Sequence, residues 1–209
     1  MFAIRKGTLY TGNTPVRQIP SPNTSGPFRH SPRFIVMHFT AGGAAENSAA
    51  WLANPRAGAS AHLVIGRDGT PIQCVNLDMR AWHAGRSHWQ GLSGLNDHAI
   101  GIELANWGPL ARSGDNWVTP RGEQVPCIEA AHRNGGPVRG WETFPERQIK
   151  AAIAIAHALT AYHPISGILG HDEIAPERKL DPGPAFDMAS FRKAVLGGPQ
   201  ALVSTEHLP

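Results

Sequence analysis

Six consecutive residues, Phe34-Ile35-Val36-Met37-His38-Phe39, form a nearly continuous apolar run that Thr40-Ala41-Gly42-Gly43 brings to a stop. So short and apolar a run suits a strand buried on both faces, which needs layers packed on either side of its sheet. The rest of the chain supplies them. Residues 44–53 read as a short helix, stopped before Asn54-Pro55. Ser60 to Ile65 reads as a second strand. The Asp-Gly signal in Gly66-Arg67-Asp68-Gly69 then turns the chain back into a hairpin over Pro71 to Val75. Ala99 to Ala105 is a further strand, with Ile100, Ile102 and Leu104 on one face and Glu103 on the other.

Thr143-Phe144-Pro145-Glu146 reads as a capping box with proline in the first turn. The helix it opens runs to about Tyr162, with Ile149, Ile153, Ala156 and Thr160 on one side and Ile155 and Leu159 broadening the stripe. Ile165 to Gly170 leads into another strand or turn, and Phe186 to Val195 forms a last helix. Strands alternating with helices, plus one hairpin, predict an α/β fold: a single domain with a central mixed sheet flanked by helices. The expected boundaries are an N-terminal arm over 1–32, a catalytic domain over 33–196 and a polar tail over 197–209. Five prolines break the arm. Residues 106–141, rich in Gly, Pro and Trp, read as a long loop or insertion with a short helix near 126–132. Loops of that length in a compact domain often carry function.

Composition narrows the classes. A length of 209 residues fits one domain, and 41% hydrophobic with 17% charged residues excludes a disordered chain. The net charge of +3 comes from scattered residues, with no basic run longer than Arg5-Lys6 or Arg178-Lys179. That pattern argues against nucleic acid and leaves an anionic membrane or an anionic cell wall as polyanionic partners. Cys74 and Cys127 do not form a C-x-x-C pair. The first ten residues lack an apolar core, and no stretch approaches about 18 apolar residues, so neither a secretion signal nor membrane insertion is expected. The expected location is the cytoplasm as synthesised; action outside would need something else to release the protein.

Of eleven histidines, His30, His132 and His207 read as solvated, and His157 and His163 as structural. His88 and His98 read either way, and His62 has no evident task. His38 stands apart, because the ends of central strands are where α/β sheets place ligands and catalysts. A second cluster, residues 170–184, holds His171 and Asp181 ten positions apart. Two imidazoles and a carboxylate make a three-ligand zinc set with a fourth position left for water.

The stretch GHDEIAPERKLDPGPAFD resembles the signature of the type-2 N-acetylmuramoyl-L-alanine amidase family. That family includes wall-recycling anhydro-muropeptide amidases, phage endolysins and peptidoglycan-recognition proteins. Four further segments agree in order: FIVMHFTAGG at 34–43, SAHLVIGRDGTPIQCV at 60–75, RAWHAG at 80–85 and NDHAIGIELAN at 96–106. The matches span about 34–191, and the DPGPAFD ending is most similar to the recycling branch. The insertion departs from that branch's compact pattern.

The resemblance implies one Zn2+ per chain, held by His38, His171 and Asp181. It implies Glu103 as catalytic base and Lys179 as its partner at the reacting carbonyl. Trp82 and His83 would wall the substrate groove, and Arg178 would hold a peptide carboxylate. The implied reaction is hydrolysis of the amide between N-acetylmuramic acid, or its anhydro form, and L-alanine, on peptidoglycan or muropeptides. The competing reading is a recognition module that binds wall without cutting it. A zincin-type peptidase is disfavoured, because H-E-x-x-H is absent.

Overall fold

The computed structural model describes residues 1–197; the expected tail beyond Gly197, with His207, lies outside them. The chain begins with strands, not a loose arm. β1 (Phe2–Arg5) and β2 (Thr8–Thr11) form a hairpin across Lys6-Gly7, both at positive φ, and β3 (Thr14–Pro15) extends it. Leu9 is fully buried in the main core, and its N–H donates to the Gln73 side chain at 2.9 Å. β4 (Arg17–Gln18) joins the edge of the central sheet, and β5 (Thr24–Pro27) pairs with β9. The stretch expected as an arm over residues 1–32 therefore holds five short strands. Prolines stop helices but are tolerated at strand edges.

The centre follows the expected order: β6 (Phe34–Phe39), α1 (Ala45–Leu52), β7 (Leu63–Ile65), β8 (Pro71–Gln73) and β9 (Met79–Ala81). A small ribbon, β10 (His88–Trp89) with β11 (Leu92–Ser93), precedes β12 (Ala99–Leu104). The six-stranded sheet has the order β17-β6-β12-β7-β8-β4, where β17 is Gly167–Gly170. β6 lies parallel to both β12 and β17, while β7 and β8 are antiparallel, so the sheet is mixed.

Residues 106–141 hold two hairpins: β13 (Ala111–Ser113) with β14 (Asn116–Val118), and β15 (Cys127–Ala130) with β16 (Arg139–Glu142). The helix expected near 126–132 is a strand instead, because Ile128 pairs with Trp141 across the second hairpin.

α2 (Glu146–Tyr162) has no capping box; the Thr143 hydroxyl donates instead to the Pro126 carbonyl at the base of that hairpin. Gln148, buried on α2, donates to the carbonyls of Ile65 and Ala105 just past β12. α3 (His171–Ile174) follows β17 directly, and α4 (Met188–Leu196) closes the described chain. Among the described residues no helix is long and apolar enough to cross a membrane.

Period-two alternation sorts the central strands. Ile35, Met37, Ile100, Ile102 and Leu104 face α2 and α4 in the main core. Phe34, Val36 and Ala99 belong to a cluster on the other face, the side that His38 and Glu103 share. Register pairs Glu103 with His38 directly. Apolar patterning thus places His38 and Glu103 side by side, away from the main helical layer.

Candidate metal centre and catalytic cleft

His38 sits near the end of β6, and His171 opens α3 where β17 ends beside it. Asp181 returns from the following loop, whose backbone is fixed by Asp172 N–H donating to Asp181 O at 2.7 Å. The three side chains are buried and converge. His38 Nδ1 lies 2.9 Å from His171 Nδ1, and Asp181 Oδ2 lies 2.8 Å from the first and 2.9 Å from the second. All three ligand atoms lie within 4.8 Å of one another.

The surrounding hydrogen bonds fix what these atoms can be. His83 Nε2 faces the Ala99 carbonyl at 3.1 Å, so this nitrogen must donate, leaving Nδ1 as an acceptor. His38 Nε2 lies 3.1 Å from that acceptor and must therefore carry the proton. His171 Nε2 faces the Ala84 carbonyl at 3.1 Å and is likewise a donor. Both Nδ1 atoms are then bare in the neutral rings. Two lone pairs and a carboxylate oxygen pointing at one another repel unless a cation lies among them, and this donor set suits zinc. Burial, reinforced by the neighbouring His171 imidazole, lowers the His38 pKa to about 4 and keeps the His38 ring neutral, as a ligand must be. For Asp181 burial acts in the opposite sense, but the two facing imidazoles outweigh it and hold the carboxyl ionised.

Behind this centre His62 repeats the device. Its Nε2 donates to Met79 O at 2.8 Å, and its Nδ1 accepts Gly101 N–H at 2.9 Å. Gly101 itself makes room for His83, since a Cβ there would lie 2.4 Å from the His83 ring. Sequence reading left His62 without a task and did not single out Gly101. The glycine inside a β-strand pattern was the available signal of close approach.

Glu103 is half-buried beside the centre, with one carboxylate oxygen out of solvent and without a hydrogen-bond partner. Burial and then the charge of Asp181 push its pKa well above the usual carboxylate range, while Lys179 opposes the shift. Lys179, half-buried after α3, thus lies within electrostatic reach of Glu103, and its charge also bears on His38.

The three residues expected to bind substrate have other partners within the fold. His83 is buried behind His38 and positions it, so it does not wall an open groove. Arg178 donates through Nε and one terminal nitrogen to the backbone carbonyls of Ala84 and Arg86, which steadies the carbonyl that orients His171. The Trp82 indole N–H is tied to Ser25 at 2.8 Å, and neither Trp82 nor His83 lines the groove at Glu103. That groove runs between α1 and the start of the insertion.

His132 is not solvated. It is buried, with Nε2 3.1 Å from Asp172 Oδ2, while Asn134 donates to the Asp172 carbonyl at 2.9 Å. The insertion therefore braces the segment that carries His171.

Two imidazoles and a carboxylate at parallel strand ends form a buried cluster that could hold one metal ion, with a second buried carboxylate, Glu103, beside it. The chain belongs to the family described as N-acetylmuramoyl-L-alanine amidase, which it matches over residues 28–184. It is 37% identical to the 1,6-anhydro-N-acetylmuramyl-L-alanine amidase AmpD of Citrobacter freundii over 65% of this chain, a stretch spanning 57% of that relative. A crystal structure of a selenomethionine derivative of AmpD superposes with a TM-score of 0.65 at 29% identity, covering 92% of this chain and 98% of that one. A complex of the E. coli amidase AmiD superposes at 0.60 and 26% identity, covering 92% and 65%.

Proposed function

We propose that this protein is a zinc-dependent N-acetylmuramoyl-L-alanine amidase that hydrolyses the amide joining the muramic acid lactyl group to L-alanine. The observation that carries the reading is the trio of converging, proton-free ligand atoms beside a carboxylate whose proton affinity is raised. The AmiD structure is described as a complex with the substrate anhydro-N-acetylmuramic acid-L-Ala-D-gamma-Glu-L-Lys, and substrates of that chemistry are assigned to this chain on the family likeness.

His38, His171 and Asp181 would hold the zinc, one ion per chain. When bound, zinc lowers the pKa of a water to about 7 and polarises the carbonyl. Glu103 accepts the proton of the attacking water, a task that a raised pKa suits near neutral pH, and delivers a proton to the departing L-alanine amine. Lys179 supplies positive charge to the carbonyl oxygen as it becomes an oxyanion. Neither cysteine takes part. The competing reading, a recognition module, leaves the filled third ligand position and Glu103 without a purpose.

The test is digestion of purified peptidoglycan and of soluble anhydro-muropeptides, with zinc and with chelator, read by mass spectrometry. Stem peptides beginning with L-alanine, lost on chelation, are expected, and the preferred substrate separates recycling from lysis. Glu103→Ala should keep the metal and lose turnover, whereas His38→Ala should lose both. Zinc bound without product from either substrate would leave the recognition module standing.

A further inference from the structure

The groove at Glu103 has a volume of about 310 Å³. Trp51 of α1, 57% exposed, and Trp107, at the start of the insertion, stand along it. Arg121, in the turn after β14, completes the lining. Trp107 is held firmly. Its backbone N–H donates to Glu142 Oε2 at 2.6 Å, and its ring rests on Gly43, where a Cβ would come within 3.0 Å of the indole. The Arg121 guanidinium lies 5.6 Å from the centroid of that ring. Among the described residues the hydrogen bond found for Arg121 comes from its backbone N–H, to Thr119 Oγ1. The neighbouring acid Glu142 is already engaged by Arg67 at 2.7 Å.

A guanidinium held over an indole at cation–π distance keeps N–H groups available for a planar anion, and its forked donors match a carboxylate. The groove sits at the small end of the range for ligand sites, with room for a residue or two and not for a polymer strand. If the scissile amide lies at Glu103, as the amidase reading requires, the adjoining groove receives the next part of the stem. A D-glutamate linked through its γ-carboxyl keeps its α-carboxylate free, one residue past that amide.

We propose that Arg121 is a specificity-determining residue, reading the free α-carboxylate of the second stem residue in the groove between α1 and the insertion. The proposal rests on the amidase reading. It gives the insertion a task in substrate choice: telling an acid from an amide at that position.

The experiment uses the zinc-loaded full chain and two synthetic muramoyl peptides, identical except for a carboxylate or a carboxamide on the second residue. Wild type is expected to cut the acid with a kcat/KM about tenfold higher, the difference lying mainly in KM, as for a charge-assisted hydrogen bond lost on the amide. Arg121→Gln should bring the acid down to the level of the amide, and Arg121→Lys should keep part of the preference. Equal rates on both substrates in wild type, or a preference that survives in Arg121→Gln, would overturn the proposal and leave the amidase reading intact. An equal loss on acid and amide in Arg121→Gln would also overturn it, because the groove would then hold something other than this carboxylate. Failure of wild type to cut either peptide would overturn the amidase reading itself.

Discussion

Replacing Gly101 with Ala tests whether His83 sets the state of His38. The new Cβ would lie 2.4 Å from His83 Cγ, 2.7 Å from Nδ1 and 2.8 Å from Cδ2. Carbon atoms settle at about 3.5–4.0 Å, so the ring must retreat by about 1 Å. It has no slack, because it holds Ala99 O on one side and His38 Nε2 on the other, both at 3.1 Å. A shift of that size stretches one bond or both past the range in which they count as hydrogen bonds. Overpacking should cost about 1–3 kcal/mol of stability. Loss of the partner that fixes the tautomer of a ligand should weaken zinc binding by about 10–100-fold. Zinc affinity is read by competition with a chromophoric chelator, and urea unfolding of the chelated protein reads stability separately. In a His83→Ala background the clash is gone, so Gly101→Ala should then leave zinc affinity almost unchanged. A zinc affinity within about twofold of wild type in Gly101→Ala alone, or the same drop in both backgrounds, would refute the route through His83.

Three further outcomes follow from buried groups. His62 is buried and its pKa lowered to about 4, chiefly by burial, so it contributes stability above the unfolded value of 6.5 that is lost as pH falls toward 4. That loss amounts to about 3 kcal/mol, and urea midpoints between pH 7 and 4 should fall less steeply in His62→Gln than in wild type. Burial pushes the Cys74 thiol up to about 12, whereas Cys127 is half-exposed; a thiol reagent should titrate one cysteine in the native protein and two in denaturant. His132→Ala should leave the buried Asp172 carboxyl without its imidazole, lowering stability by about 1–3 kcal/mol and also weakening zinc binding, both measurable by the same two titrations.

The centre of the molecule was readable because its cause is local. An unbroken apolar run and one strict alternation mark β6 and β12, and the same alternation put Glu103 opposite Ile102 and Leu104. The N-terminal strands escaped because many of their residues are exposed and their partners, Gln73 and Ala81 among them, lie dozens of residues away. Lys6-Gly7 and Gly12-Asn13 were legible turn signals that the prolines overshadowed. Motif resemblance picks out residues that the fold brings into one neighbourhood, but it does not say what each side chain touches. Nothing in RAWHAG says whether His83 faces substrate or faces His38; only Gly101, on the neighbouring strand, decides it. His132 could not be told from a solvated histidine, because its partner Asp172 is 40 positions on.

The order of strands in the sheet also governs how the molecule can be made. β6 lies between β12 and β17, whose residues begin 60 and more than 120 positions later. At synthesis rates of about 5–20 residues per second, β6 waits roughly 6–30 seconds for its second neighbour. Through that interval an apolar strand has at least one unpaired edge, the kind of surface that recruits other chains. The His38, His171 and Asp181 cluster is completed only with Asp181, after the whole of the six-stranded sheet has been translated. The site is thus a late product of biosynthesis, and a nascent chain that stalls before Gly167 holds half of its chemistry and an open seam.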